Sequence, residues 1–73
     1  MLLSELKDGA TAGIIAVNMP RNLKERFYTM GFTEGERVEC IARAAFGSPL
    51  LFRVKGSEIA VRKRDAKRIE VRA

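Results

Sequence analysis

The stretch Arg37–Lys55, RVECIARAAFGSPLLFRVK, decides the fold, because apolar and charged side chains alternate in it on both sides of a turn. Alternation with a period of two is typical of a strand with one buried face. The pattern predicts strands over Arg37–Ala45 and Leu50–Lys55, joined by the hairpin connection Phe46–Pro49. The inward positions are Val38, Cys40, Ala42, Ala44, Leu50, Phe52 and Val54. Ile41 interrupts the alternation, which indicates that the outer face of the first strand is partly covered as well.

Shorter apolar runs on either side of this hairpin predict three further strands, at Thr11–Val17, Glu58–Arg62 and Arg68–Val71. The turn signal Gly56-Ser57 precedes the second of them. Lys63–Ala66 is long enough for one helical turn. The segment Leu2–Gly9 reads as a lead-in, and we expect Leu3 and Leu6 to attach it to the core.

One short α-helix is predicted over Leu23–Met30, between the first two strands. Its apolar stripe consists of Leu23, Phe27 and Met30, which share one helix face. Asn22 is the predicted N-cap, with Glu25 as its capping-box partner three residues later. Gly31 is the expected left-handed residue after the helix, and Phe32 is placed to make the hydrophobic contact that often accompanies it.

Together these elements predict a mainly β domain with about five strands and one short α-helix. A chain of 73 residues allows a single domain, here residues 1–73. Short strands with tight turns are typical of small barrels, which avoid the exposed edges of an open sheet. An SH3-like barrel is the natural candidate at this length.

The cysteine and histidine content argues against a disulfide and against a strong metal site. The chain has one cysteine and no histidine, so no disulfide can form within it and the commonest metal ligand is absent. We therefore predict no cofactor and no metal site, with at most weak association of Fe²⁺ or another divalent ion. Cys40 lies on the apolar face of a predicted strand, so we interpret it as a small buried hydrophobe and not as a reactive thiol.

No constellation of catalytic residues is visible in the sequence. Without histidine, no serine or cysteine nucleophile has its usual base. The glycines Gly31 and Gly35 are turn residues and do not form a phosphate-binding motif. Glu34 and Glu36 are the nearest approach to an acid–base pair, and charged turn residues are the simpler interpretation. We therefore expect a binding protein and not an enzyme.

The charge is unevenly distributed. The formal net charge is +5, and six basic residues stand against two acids in Arg62–Ala73. Such a segment suits nucleic acid, an anionic surface or an acidic protein face, or it is simply a solvated edge strand. A small basic nucleic-acid-binding barrel is thus the alternative function. The segment lacks interleaved aromatic residues for base stacking, so we expect no tight nucleic-acid binding.

The start of the chain carries no secretory signal, because Met1-Leu2-Leu3 is followed at once by charged residues. No apolar run approaches the length of about 20 residues that a bilayer-spanning helix requires. A lone cysteine also suits a reducing compartment. We therefore expect a cytoplasmic protein; the sequence leaves its oligomeric state open, and a monomer is compatible with it.

The order of these motifs resembles the FeoA family, ferrous iron transport protein A. The matching segments are Leu6–Gly9, Arg26–Phe32 followed by Gly35, Phe46–Pro49, and Ile59–Arg62 continuing through Asp65-Ala66 to Ile69 and Val71. Each segment is weak alone, but the ordered set covers nearly the whole chain. Glu34, Ser48 and Phe27 depart from the usual family residues, at turn or core positions that do not threaten the fold.

The resemblance implies a function. FeoA-like proteins are cytoplasmic accessories of FeoB, a membrane ferrous iron transporter with a cytosolic GTP-binding domain. A similar domain also occurs fused to iron- or manganese-responsive repressors. By this resemblance the chain would bind and modulate the GTPase part of a FeoB-type transporter, and it would meet the membrane only through that partner.

The candidate contact residues surround the C-terminus of the predicted helix and the Phe46–Pro49 hairpin. They are Arg26, Tyr28, Met30, Gly31, Phe46 and Pro49. Phe46 has two interpretations, because an apolar ring at a hairpin tip either contacts a partner or folds back over the barrel. Tyr28 lies beside the apolar helix stripe, from which its hydroxyl can reach water or a partner.

Overall fold

The computed structural model describes all 73 residues and contains five strands and two α-helices. In chain order the elements are a 3-10 helix at Leu3–Glu5, β1 (Thr11–Val17), α1 (Arg21–Met30), β2 (Arg37–Arg43), β3 (Leu50–Val54), β4 (Ser57–Val61), α2 (Lys63–Ala66) and β5 (Ile69–Arg72). The predicted mainly β architecture is confirmed. The single helical turn predicted after the fourth strand is also confirmed, as α2.

All five strands form one antiparallel sheet in the order β4-β3-β2-β1-β5. Because β5 pairs with β1, the last strand returns to the side of the sheet opposite β4. The hydrogen-bonded ladder is open between β4 and β5, and α2 connects these two strands. The outer edge of β5 is covered by the N-terminus, where the Val71 N–H donates to the Met1 carbonyl at 2.8 Å.

Two irregularities in strand pairing explain the break in the sequence alternation. The register of β1 against β5 shifts between Ile14 and Ala16, and that of β2 against β3 shifts between Cys40 and Ala42. An extra residue at each point increases the local twist and changes which face the following side chains occupy. Ile41 interrupts the pattern because it lies at the second of these bulges.

The core is one cluster of 16 buried residues drawn from every strand, from both helices and from the N-terminal segment. Phe32 lies at its centre, edge-to-face with Phe27 at 5.6 Å and with Phe52 at 6.3 Å between ring centroids. Leu3 and Leu6 are buried as predicted, so the lead-in segment is part of the core. The predicted burial of Cys40 is confirmed too, since it has no exposed surface.

The start of α1 differs from the prediction. The helix begins at Arg21 with Pro20 at the N-cap, and no side chain caps it. Pro20 has φ −56°, which already suits helix entry, and its carbonyl accepts the Lys24 N–H at 2.8 Å. The predicted capping role of Asn22 is therefore wrong. The end of the helix is as predicted: Gly31 has φ 108°, and the Phe32 N–H donates to the Phe27 carbonyl at 2.9 Å.

Several strand ends differ from the prediction by one or two residues. β2 ends at Arg43, because the Ala44 N–H turns to the Pro49 carbonyl at 2.9 Å and Ala44 itself is exposed. The prediction that Ala44 points inward is therefore wrong. β4 begins at Ser57 and β5 at Ile69, each displaced by one residue.

Candidate docking surface

Two of the predicted contact residues, Arg26 and Met30, line the same groove between α1, the end of β4 and α2. We call it the arginine groove; its volume is about 420 Å³. Its lining consists of Leu23, Arg26, Phe27, Met30, Ala60, Val61, Arg62, Arg64 and Asp65. The helix contributes positions three and four residues apart, which share one face. α2 follows β4 directly, which brings Arg62 and Arg64 to the opposite wall.

The positive charge of the arginine groove is not balanced by ion pairs within the protein. Arg26, Arg62 and Arg64 make no salt bridge; the five that form involve other cations. Arg53, for comparison, contacts Glu39 at 2.8 Å and Glu58 at 3.0 Å, and the carboxylates of Glu58 and Glu39 hold its pKa above the ordinary value. Asp65 is the only acid in the lining of the groove.

Pro49 lines a second, smaller cavity of about 280 Å³, which we call the proline pocket. Its lining consists of Ala42, Arg43, Ala44, Pro49, Leu50, Leu51 and Ala60. Ala60 belongs to both linings, so the proline pocket and the arginine groove adjoin at this small residue. The two cavities therefore meet at the edge strand β4.

Phe46 occupies the tip of the hairpin beside the proline pocket, and 98% of its surface is exposed. Of the two interpretations, folding back over the barrel is therefore excluded in this structure. The tip is held by backbone bonds, since the Gly47 N–H donates to the Ala44 carbonyl at 2.8 Å. The Ser48-Pro49 peptide bond is cis. Contact of Phe46 with a partner stays a prediction.

Tyr28 and Gly31 lie outside both cavities. The Tyr28 hydroxyl donates to Glu34 at 2.5 Å, and the Lys24 ammonium lies 5.5 Å from the ring centroid. The hydrogen bond to Glu34 raises the pKa of Tyr28 and lowers that of Glu34. Gly31 is buried, and the side chains of Val54 and Lys55 lie close to it. Contact of Tyr28 and Gly31 with a partner therefore stays a prediction.

The predicted set missed Arg62, Arg64 and Leu23, which complete the arginine groove. Leu23 was visible in the sequence as the first member of the helix stripe, but a core position was the natural interpretation. The two arginines belong to the basic segment near the C-terminus, and nothing local in the sequence indicates that they face α1. Their position depends on contacts between elements that are distant in the chain.

The thiol of Cys40 lies beside two polar side chains, those of Asp8 and Arg43. Its Sγ lies 3.7 Å from Asp8 Oδ1 and 3.8 Å from Arg43 Nη2, and Arg43 also contacts Asp8 at 3.0 Å. Burial raises the pKa of the Cys40 thiol, although the nearby Arg43 opposes this. A raised pKa disfavours the nucleophilic thiolate at neutral pH. The structure contains no cluster of three acidic, cysteine or histidine side chains able to hold a metal ion.

Comparison with known proteins identifies related sequences over the whole chain. A family model of the FeoA domain matches residues 1–73. Over 71 residues the chain is 32% identical to the Fe(2+) transport protein A/Fe(2+) transporter FeoB fusion protein of Porphyromonas gingivalis. That match covers 97% of this chain and 8% of the fusion protein, so the chain spans only a small part of that relative.

Solved structures share the fold. The solution structure of iron(II) transport protein A from Clostridium thermocellum has a TM-score of 0.95 at 36% identity and covers 100% of this chain and 45% of that one. The crystal structure of Stenotrophomonas maltophilia FeoA complexed with zinc, described as a procaryotic SH3 domain protein, has a TM-score of 0.83 at 35% identity. It covers 97% of this chain and 88% of that one. The predicted SH3-like class is confirmed.

No helix of the protein has the length and hydropathy needed to cross a membrane.

Proposed function

Because the chain belongs to the FeoA family of ferrous iron transport accessory domains, we propose that it binds and modulates the cytosolic GTPase part of a FeoB-type transporter. Ferrous iron is then the cargo of the partner, and the role proposed for this chain requires no metal site of its own. The chain acts in the cytoplasm and is recruited to the membrane only through the transporter.

The observation that carries this proposal is the fusion of the two components in the Porphyromonas gingivalis relative. Linking two modules in one polypeptide turns their association into an intramolecular event, with an effective concentration of about millimolar for short linkers. Such a linkage favours domains that act together. The matching region covers nearly all of this chain, so the comparison concerns the whole domain.

Modulation requires the domain to bind one conformation of the partner more tightly than another. A tenfold difference in affinity between two nucleotide states corresponds to about 1.4 kcal/mol of bias on their equilibrium. In this proposal the domain affects GTP hydrolysis through this bias on the partner's conformations. A small domain whose strands and helices share one core suits such a role, because little of it needs to order on binding.

The contact surface that we propose is the face formed by the arginine groove, the proline pocket and the exposed hairpin tip. It brings together Arg26, Met30, Pro49 and Phe46 from the predicted set. Exposed aromatic and arginine side chains are over-represented among residues that dominate binding energy. Tyr28 lies outside both cavities, and its contact with the partner is a separate part of the proposal.

A titration of the purified cytosolic GTP-binding domain of the transporter tests the proposal, in the nucleotide-free, GDP-bound and GTP-analogue-bound forms. We expect saturable binding whose affinity differs between nucleotide states. The double variant Phe46→Ala, Tyr28→Ala should weaken binding by about tenfold or more, and Ile15→Ala, an exposed apolar residue on β1, serves as the control. Absence of binding at about 100 μM in every nucleotide state would contradict the proposal.

A further inference from the structure

We propose that the arginine groove binds a carboxylate-rich segment of a partner protein, which inserts one large apolar side chain between α1 and β4. The inference rests on the proposed function where it takes that partner to be the transporter's cytosolic part. It goes further in naming the chemistry of the bound segment and the residues that recognise it.

The apolar part of the groove supports the insertion of a side chain. Leu23 and Met30 are half-buried along α1, and Val61 closes the groove from β4. Behind them Phe27 is only 5% exposed, so the base of the groove is the surface of the core itself. A volume of about 420 Å³ falls within the range of about 300–1,000 Å³ over which protein pockets hold small organic groups.

The charged rim supports a carboxylate-bearing occupant. The side chains of Arg26, Arg62 and Arg64 are exposed and make no salt bridge or hydrogen bond within the protein, while Asp65 is the only acid among the lining residues. An excess of two positive charges therefore surrounds an apolar floor. Guanidinium groups bind carboxylates through two parallel hydrogen bonds, and a low-dielectric floor beside them strengthens that attraction.

The same arginines would also attract phosphate, but the groove lacks the other features of a nucleic-acid site. Single-stranded nucleic acid is held by rings on which bases stack. No exposed aromatic ring lies in the groove: Phe27 is buried, Tyr28 is engaged with Glu34, and Phe46 lies at the hairpin tip. An apolar floor matches a protein side chain better than a sugar–phosphate backbone, so we assign an acidic protein segment.

Three probes test this assignment: the transporter's cytosolic GTP-binding domain, a short helical peptide of glutamate and leucine, and a single-stranded DNA oligomer. Each is titrated into the isotope-labelled protein, and backbone amide shifts locate its binding site. The variants are Arg26→Glu with Arg64→Glu, and separately Met30→Ala. Arg68→Glu with Arg72→Glu is the matched charge control, since both arginines are exposed and lie outside the groove. Thermal unfolding confirms that each variant is folded.

We expect the cytosolic domain and the acidic peptide to shift amides of Leu23, Met30, Ala60 and Arg64. Affinity for both should fall by about tenfold or more in Arg26→Glu with Arg64→Glu and by a few-fold in Met30→Ala. The control, Arg68→Glu with Arg72→Glu, should leave the affinity nearly unchanged. Raising the salt concentration should weaken binding of the wild-type protein and have less effect on Arg26→Glu with Arg64→Glu.

The outcomes separate this inference from the proposed function. If the cytosolic domain binds and the groove variants do not weaken it, the proposed function holds and this inference is overturned. If the cytosolic domain fails to bind but the peptide occupies the groove, the inference holds and the proposed function fails. Tighter binding of DNA than of peptide at the groove, or no binding of any probe there, overturns the inference.

Discussion

The Ser48 hydroxyl accepts a hydrogen bond from the backbone N–H of Lys63 at 3.1 Å, which joins the tip of the β2–β3 hairpin to the first residue of α2. The residue at the N-cap of α2, Arg62, offers no side-chain acceptor. Ser48 thus caps α2 from a distant part of the chain. Because α2 carries Arg64 and the hairpin carries Pro49, this bond links the arginine groove to the proline pocket.

We expect Ser48→Ala to destabilise the protein by about 0.5–1 kcal/mol, the lower part of the range for lost helix caps, because the bond is exposed to solvent. In a domain of this size that corresponds to a fall in Tm of roughly 2–8 °C. Thermal unfolding followed by circular dichroism measures it. Ser57→Ala is the control, since Ser57 is exposed and makes no side-chain hydrogen bond; an equal loss there would contradict the capping role.

Gly31→Ala should destabilise the protein by about 1–2 kcal/mol, because Gly31 holds φ at 108° and L-residues disfavour that conformation. A Cβ there would meet Val54 and Lys55 at 3.5 Å, an ordinary contact, so the penalty comes from the backbone. Gly13→Ala is the matched control, with no positive φ and its nearest atoms at 3.8 Å. Denaturant unfolding should show Gly13→Ala within about 0.5 kcal/mol of wild type.

Tyr28 is the only tyrosine and the chain has no tryptophan, so ultraviolet absorbance follows its ionisation directly. The hydrogen bond to Glu34 raises the pKa of Tyr28, so the phenol should ionise above the pH of a free tyrosine. Glu34→Ala should move the titration midpoint back down. Glu36→Ala, which removes a nearby carboxylate paired with Lys55, should leave it in place. Equal midpoints in wild type and Glu34→Ala would refute the interaction in solution.

The buried thiol predicts a loss of stability in alkaline solution. Burial raises the pKa of Cys40 in the folded state above that of the unfolded chain, so the folded state holds its proton at pH values where the unfolded state has lost it. The contribution to stability is complete below the unfolded-state pKa and declines as pH rises toward the folded-state value. Cys40→Ala should lower stability at neutral pH and flatten this alkaline decline. Denaturant unfolding at several pH values measures this decline. If the free energy of unfolding of Cys40→Ala falls with rising pH as steeply as that of the wild type, the interpretation is contradicted.

Truncation of Phe46 and truncation of Phe52 should change the stability of the protein by very different amounts. Phe46→Ala should change the free energy of unfolding by less than about 0.5 kcal/mol, because the ring is 98% exposed. Phe52→Ala should cost about 3–5 kcal/mol, because that ring is fully buried against Phe32. Denaturant unfolding of both variants measures the two changes in the free energy of unfolding. A large loss in Phe46→Ala would show that the ring packs against the barrel in solution.

Most elements could be predicted from local patterns, and the errors have local causes. The strand limits of Thr11–Val17 and the α2 turn agree with the structure because apolar periodicity and turn residues are short-range signals. The N-cap was misassigned because Asn22 and Pro20 compete to start the helix, and proline already holds a suitable φ. Ala44 was misplaced because a bulge at Ile41 shifts the face without a distinct sequence signal.

The candidate surface was less accessible to prediction. Arg26, Met30 and Pro49 were among the predicted contacts and do line cavities, but Arg62 and Arg64 were interpreted only as part of a basic segment. The sequence places the Tyr28 hydroxyl within reach of water or a partner, and the structure pairs it with Glu34. The partner of a side chain across a turn depends on how that turn closes, which composition alone does not specify.

By itself, the sequence determined the alternating strands, the apolar stripe of α1, the left-handed glycine that ends it, and a chemistry without histidine or disulfide. These properties follow from backbone sterics and side-chain type within a few residues. Only the tertiary structure decided that Ser48 caps α2 and that Arg62 and Arg64 face Arg26 across an apolar floor. The physical reason is that the long-range pairing of β1 with both β2 and β5 sets which faces meet. No local periodicity in the sequence encodes that pairing.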